Sequence, residues 1–372
     1  MNRADVVIIG AGAVGLAIAE CLSTLKKNII LLERHSTFGQ DTSTRNSEVI
    51  HGGMYYPTDT LKARLCVNGN RMLYEICSKY NIPYRKTGKL IIANTEEERQ
   101  NVEEILEQGQ INQVPDLRII EQSEILTLEP HVRAKWALFS PSSGILDATA
   151  LMHHFEQLAI ENGVTIRYDH EVVGIKETSG QYKVIVKRAI GKIEEISTDV
   201  VINAAGLYAD KVAAMLGIDV NESAYQLHWV KGEYFDVHRR HAGKMEHLIY
   251  PTPTPVSLGI HVRLRLDGSF ALGPNAIYVD EIDYDVNPNH LNEFFSNCEG
   301  YMPFLDKTDL TPGIAGIRAK LQAKGESVKD FVIRDEADKG LSGFINLVGI
   351  DSPALTACMA IAEEVKDIYE GL

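Results

Sequence analysis

Cysteine is scarce and scattered: Cys21, Cys66, Cys77, Cys298 and Cys358 are the five in 372 residues, with no Cys-x-x-Cys and no Cys/His zinc spacing. The odd count in so long a chain predicts reduced thiols and a cytoplasmic protein. Long hydrophobic runs are also missing. The one N-terminal candidate, Val6 to Leu22, carries three glycines and Glu20 and follows Asp5. It reads neither as a signal peptide nor as the roughly 20 clean apolar residues of a membrane span. The last residues carry no lipidation or peroxisomal signal. Peripheral contact at the inner membrane face stays open. Basic residues are outnumbered, 37 against 51 acidic, for a net charge of −14 that opposes nucleic acid as a partner. No helix carries His and carboxylate at i, i+3 or i, i+4 in a convincing pocket context, so no metal is expected, and no Gly-x-Ser-x-Gly elbow points to a hydrolase.

What is present suits a soluble globular chain: 45% hydrophobic and 24% charged residues, at two to three times the usual domain length of about 150. Val6-Val7-Ile8-Ile9 is a β-branched run that predicts a strand buried on both faces. It leads into Gly10-Ala11-Gly12-Ala13-Val14-Gly15, then helix formers from Leu16 to about Lys26, then a second strand, Ile29 to Leu32, closing on Glu33. Glycines at this spacing let the backbone turn tightly and approach a pyrophosphate, and the following helix offers free N–H groups and a positive dipole end. A carboxylate about twenty residues beyond the glycines can accept both hydroxyls of an adenosine ribose, and an acid there disfavours a 2′-phosphate. The spacing therefore predicts a dinucleotide held by Gly10, Gly12, Gly15 and Glu33.

Further on, helical periodicity is readable at residues 60–80, 96–108, 148–162, 209–216 and 353–369, with Ser352 as N-cap and Pro353 as first helical residue of the last. Short strands are expected at 164–168, 171–177, 182–187 and 199–203, and a strand-rich region at 230–272. Asn203-Ala204-Ala205-Gly206 ends a strand in small residues, as a backbone passing close to a flat ligand requires. No linker separates modules, so the nucleotide-binding unit is expected to be interrupted.

The segment Asp41-Thr42-Ser43-Thr44-Arg45-Asn46-Ser47-Glu48-Val49-Ile50-His51-Gly52-Gly53 resembles the stretch that runs along FAD in the D-amino acid oxidase superfamily, and within it the L-2-hydroxyglutarate dehydrogenase/oxidase branch. The resemblance continues through Gly144 to Asp147, Val201 to Asp210, Lys231 to Tyr234, Ile249 to Pro253, Gly259 to Arg263, Gly316 to Arg318 and Gly349 to Thr356. It implies a mixed α/β fold: a Rossmann-like FAD-binding domain interleaved with an antiparallel-sheet substrate domain. Residues 1–85, 146–224 and 310–372 would form the first, and 86–145 and 225–309 the second. It also implies FAD contacts from Arg34, Thr42, Ser43, Arg45, Asn46 and Ser47, from Val173 through its backbone, from Ala205 and Gly206, and from Ser352, Pro353, Leu355 and Thr356. The chain departs from the branch pattern at Asp351, Ala354 and Lys231, where Glu, Gly and Arg are usual; this bears most on substrate identity.

Taking hydride from a secondary alcohol requires the hydroxyl proton to leave too, and imidazole is the natural acceptor near neutral pH. His51 is the expected base and His261 the second candidate. Both His153-His154 and His238-Arg239-Arg240-His241 read as solvated surface. A carboxylate substrate calls for a cation, for which Arg318 is best placed, with Arg263 and Lys231 behind it and Tyr250 and Tyr234 as hydroxyl donors. The expected activity is FAD-dependent oxidation of a small 2-hydroxy acid, L-2-hydroxyglutarate first. Glycerol 3-phosphate or an amino acid is the alternative substrate, and a flavoprotein that binds a partner without oxidising anything is the rival of another class. Oxygen, a quinone or a carrier protein are equally compatible as electron acceptor.

Overall fold

In a computed structural model, residues 3–253 and 259–372 are described. They divide into two compact units: residues 1–44, 148–229 and 318–372 form unit one, and residues 45–147 and 230–317 form unit two.

Unit one grows from the first strand, Arg3–Ile9, whose β-branched side chains are almost wholly buried. On one side it pairs in parallel with Ile29–Leu32, which pairs in parallel with Thr165–Arg167. On the other it pairs in parallel with Ile193–Asn203, whose end pairs in parallel with Leu341–Val348. Five parallel strands in this order, with the first in the middle, make the doubly wound arrangement that places ligands at the carboxyl ends of the strands. The hairpin His170–Thr178 and Gln181–Arg188 extends the sheet antiparallel along the first half of Ile193–Asn203, and Val332–Glu336 pairs antiparallel with Leu341–Val348. The helix Ala13–Ser23 packs against both Ala148–Glu161 and Ala354–Glu370.

The first helix starts three residues before its expected position, because Gly12 takes the N-cap and helical geometry begins at once. The C-terminal helix starts one residue late: Pro353 is the N-cap and makes no side-chain cap, so Ser352 lies outside the helix it was expected to cap. The expected helix at 209–216 is a short 3-10 turn, Gly206–Tyr208, followed by Ala209–Ala214.

Unit two holds three smaller sheets. Leu248–Pro251, Lys89–Ala93, Trp136–Ser140 and Arg118–Glu121 lie side by side in that order, antiparallel except for the first pair, which is parallel. A second sheet pairs His261–Leu264 with Phe270–Gly273 and that strand with His228–Val237, all antiparallel. Residues 254–258 of the expected strand-rich region lie outside the described residues.

The sequence reading put the first crossing between domains at 85/86, whereas the compact units divide at 44/45. Packing supplies the reason. Val49 and Met54 belong to one hydrophobic core with Leu90, Leu138, Phe235 and Phe270, and Val49–Ile50 pairs antiparallel with residues 144–145. Among the described residues no helix is long and apolar enough to cross a membrane.

Gly15 marks the tightest point of unit one, since a Cβ there would lie 2.0 Å from the Gly10 carbonyl oxygen. Replacement by alanine forces backbone apart, a cost of about 1–3 kcal/mol or more. Gly15→Ala should therefore lower the melting temperature and purify with little FAD, measured by thermal denaturation and by the flavin-to-protein absorbance ratio.

Candidate functional site

In unit one the glycine turn is shaped by contact with the Asn203-Ala204-Ala205 strand end. Gly10 has φ +104°, and a Cβ on it would meet the Ala204 carbonyl oxygen at 2.5 Å. Backbone conformation and space both demand glycine there. At Gly12 a Cβ would meet only Ser43 Oγ, at 3.0 Å, and the helix it begins has no side-chain cap and no charged residue in its first turn. Ser43 Oγ accepts from the Ala13 N–H at 3.0 Å, which ties the Thr42-Ser43 segment to the turn. Both oxygens of the buried Glu33 accept from backbone, Oε2 from Ala11 N–H at 2.8 Å and Oε1 from His35 N–H at 2.9 Å. A carboxylate oxygen has a second lone pair, so Glu33 is oriented by these bonds and keeps acceptor capacity for hydroxyls.

Arg34 lies 4.0 Å over the Tyr208 ring and pairs with Asp41 at 2.7 Å. With His35, Asp169, Glu171, Lys187, Arg188 and Ala189 it lines a cleft of about 460 Å³. The pairing of His170–Thr178 with Gln181–Arg188 skips Val173, so Val173 is the extra residue of a β-bulge, where backbone groups are left out of the ladder. Gly206 has φ +54° and open space where a Cβ would be. Thr356 is buried in the first turn of the C-terminal helix, with Leu355 beside it partly exposed, and Asp351 pairs with Lys320 at 3.3 Å. Arg318, partly buried, opens the last segment of unit one.

Unit two gathers the other candidates. His51 follows the strand Val49–Ile50 and is partly exposed, with its backbone fixed: its carbonyl accepts from Asn70 Nδ2 at 2.9 Å, and the Cys66 thiol lies 3.6 Å from the same oxygen. Asn70, on the helix Leu61–Tyr80, also donates to the Ser142 carbonyl at 2.9 Å. Burial, then the nearby Lys89 and His261, lower the His51 imidazole well below its ordinary range. His261 is buried, its Nδ1 lies 2.9 Å from the Gly259 carbonyl, and its ring stacks flat on Tyr250 at 3.7 Å.

The two other cations named from the sequence already face carboxylates. Arg263 pairs with Glu48 at 2.9 Å and lies 5.4 Å from the Tyr234 ring centre. Lys231 pairs with Asp283 at 2.6 Å and approaches Glu233 at 3.7 Å. Arg45 lies 4.2 Å over the Tyr284 ring, and its carbonyl oxygen sits 1.9 Å from where a Cβ on Gly316 would be. Asn46 accepts from the Glu48 N–H at 2.8 Å, and Ser47 lies between them. His241, expected at the surface, is buried against Asp309 at 2.9 Å.

Sequence reasoning missed Lys89, Asn70, Tyr55 and Glu48. Lys89 opens the strand Lys89–Ala93 and is 0% exposed. Its ammonium lies 4.0 Å from the Tyr250 ring centre and 5.6 Å from that of Tyr55, and burial lowers it to about 7. The only sequence signal was one cation at the head of the apolar run Leu90-Ile91-Ile92-Ala93, a place where lysine usually reaches out to water.

The parallel strand order, glycine turn and terminal acid define a dinucleotide-binding protein. The chain belongs to the family described as DAO, FAD dependent oxidoreductase, whose pattern matches residues 5–368. It is similar to the mitochondrial L-2-hydroxyglutarate dehydrogenase of Arabidopsis thaliana, at 35% identity over 99% of this chain and 84% of that one. A glycerol 3-phosphate dehydrogenase from Caloramator mitchellensis is 30% identical over 99% of this chain and 74% of its own. Among solved structures, dithionite-reduced L-alpha-glycerophosphate oxidase from Mycoplasma pneumoniae with FAD bound matches 100% of this chain and 95% of its own, with TM-score 0.89 and 28% identity. The protein is an FAD-dependent oxidoreductase, and the helix start at Gly12, which has no side chain of its own to cap it, the oriented Glu33 and the glycine cradle fit that cofactor.

Asn70 joins two carbonyls, and its removal takes one donor from each, leaving Tyr74 Oη on Ser142 and the Cys66 thiol on His51. Asn70→Ala should cost about 1–3 kcal/mol of stability, read as a shift of the urea midpoint at unchanged m-value.

Proposed function

We propose that this oxidoreductase acts on the CH–OH group of a small 2-hydroxy acid, with L-2-hydroxyglutarate as substrate and 2-oxoglutarate as product. The observation that carries the reading is His51, an imidazole held neutral by burial and anchored through its carbonyl by Asn70. A neutral imidazole is what an alcohol donor requires and an amine donor does not. The similarity to an L-2-hydroxyglutarate dehydrogenase supports the substrate, and that to a glycerol 3-phosphate dehydrogenase keeps glycerol 3-phosphate, also a secondary alcohol, as the second reading.

Gly10, Gly12, Gly15 and the start of the first helix would hold the FAD pyrophosphate, with Thr42 and Ser43 beside them. Glu33 would take the ribose, Arg34 and the bulged backbone at Val173 the adenosine end. Arg45, Asn46, Ser47, Ala205 and Gly206 would contact the remainder, and Ser352, Pro353, Leu355 and Thr356 bring the positive end of the last helix to the flavin. When bound, FAD supplies the acceptor for the hydride that leaves the alcohol carbon. His51 takes the proton from the alcohol oxygen, so that one hydride and one proton depart together. Arg318 would carry the clamp for the substrate's carboxylate, a role supported by its bidentate guanidinium and its place at the head of the last segment of unit one. Tyr250, Tyr234 and His261 complete the polar surroundings in unit two.

Anaerobic titration of the flavin absorbance with 2-hydroxy acids, glycerol 3-phosphate and amino acids tests this. L-2-hydroxyglutarate should bleach fastest; faster bleaching by glycerol 3-phosphate moves the assignment to the second reading, and bleaching by amino acids alone sinks both. His51→Asn should keep its FAD and reduce about 10²–10⁴-fold more slowly in stopped flow. The neutral form of His51 is the active one and its titration is lowered, so the wild-type rate should hold its plateau below the ordinary imidazole value of 6.5 and fall only at more acid pH. A break at 6.5 itself would contradict the burial. Arg318→Ala should raise KM by about 30-fold or more with FAD content unchanged.

A further inference from the structure

We propose that Lys89, with the hydroxyls of Tyr55 and Tyr250, forms a buried donor cluster that takes the second carboxylate of a dicarboxylate substrate, the one remote from the reacting carbon. This rests on the reading of the protein as a 2-hydroxy acid oxidoreductase and names the part of the substrate that unit two would recognise.

Three buried polar atoms meet here, Lys89 Nζ, Tyr55 Oη and Tyr250 Oη, and none has a hydrogen-bond partner among the described residues. Lys89 and Tyr250 are each 0% exposed, and Tyr55 is partly exposed with its hydroxyl buried. Buried polar groups in folded proteins are paired as a rule, and an exception calls for a missing partner. The donor set states what that partner must be. An ammonium has three donors and no acceptor, and both phenols can donate. The missing group must accept several hydrogen bonds and carry negative charge, as a carboxylate or a phosphate does, and the reading as a 2-hydroxy acid oxidoreductase selects the carboxylate.

Among the described residues no carboxylate pairs with the ammonium. The titratable neighbours are Cys66, His51, Tyr55, Tyr250 and, on the opposite face of the Tyr250 ring, His261, and none is a carboxylate. Lys231 and Arg263, buried in the same unit, each have an acid within 3 Å. Of these three cations Lys89 alone has no ion pair with an acid among the described residues, and its ammonium lies over the Tyr250 ring. Loss of hydration there brings its titration down to about 7, and an incoming anion would restore the full charge.

Register puts the cluster beside the proposed base. Lys89 pairs with Ser140 across the antiparallel ladder, and Ser140 Oγ lies 3.1 Å from where a Cβ on Gly52, the residue after His51, would stand. On the other side, Ile91 is in register with Tyr250, so Lys89 and Tyr250 share a face of the sheet two residues apart. The four-carbon stem lets the ammonium leave the ring face and meet a carboxylate without backbone movement.

The test uses the FAD-loaded enzyme and its Lys89→Met, Lys89→Arg and Tyr250→Phe variants. One arm measures anaerobic flavin reduction by L-2-hydroxyglutarate, L-2-hydroxybutyrate and glycerol 3-phosphate. The other measures binding of the unreactive pair glutarate and butyrate from the flavin difference spectrum. Lys89→Met should raise KM for L-2-hydroxyglutarate and Kd for glutarate by about 100-fold, with L-2-hydroxybutyrate and butyrate changed less than about threefold. Lys89→Arg should recover part of the dicarboxylate preference, and Tyr250→Phe should lose part of it. Equal effects on one-carboxylate and two-carboxylate compounds overturn the proposal, and an effect confined to glycerol 3-phosphate overturns the assignment to a carboxylate. If Lys89→Met does not fold, an unchanged preference in Tyr250→Phe overturns it. A wild type that no hydroxy acid reduces rejects the proposed function, and the glutarate arm still decides on the cluster: no preference for glutarate over butyrate ends it.

Discussion

Unit one depends on the closeness with which the turn after its first strand meets the end of a neighbouring strand. The Gly10 backbone lies against the Ala204 carbonyl, and the Gly10 carbonyl in turn occupies the space that a side chain at Gly15 would need. This double approach sets the start of the first helix and so the direction in which its N–H groups point. It also brings Ala11 within reach of Glu33. Behind the turn, Asn203 donates to Asn346 and Asn346 to Glu336, a buried chain that holds the two strand ends at a common height. A methyl group at either glycine would act on all of these at once.

Unit two is organised by how it treats charge. Lys231 and Arg263 are buried with acids that neutralise them, as charges in low-dielectric surroundings require. Burial instead lowers the His51 imidazole well below its ordinary range. In the proposed function an imidazole lowered by desolvation is unprotonated and ready to accept a proton near neutral pH, and Asn70 fixes its backbone through the His51 carbonyl.

Local signals in the sequence were legible because they act locally. Strand, glycine turn, helix, strand and acid lie within 33 residues, and each is dictated by backbone demands or by neighbours in the chain. The division of the chain was less legible. Nothing near residues 45–85 says that Val49 and Met54 join a core with Phe235 and Phe270, since those partners are nearly two hundred residues away. Lys89 was invisible for a related reason: a lysine at the head of an apolar strand normally sends its ammonium to water, and only the sheet packed around it prevents that. The one-residue error at Pro353 came from applying capping preferences to a turn in which Asp351, through its carbonyl, already accepts the Ala354 N–H at 2.7 Å.

The interleaving of the two units has a consequence for how the chain is made. Residues 1–44 and 148–229 leave the ribosome well before Leu341–Val348, the strand that completes the parallel sheet against Ile193–Asn203. At about 5–20 residues per second, that strand end waits several seconds or longer with unpaired backbone. Unit two, begun with residues 45–147, is completed by residues 230–317 during the interval. The nascent protein therefore carries an open sheet edge through much of its synthesis, and release of the C-terminal residues closes it.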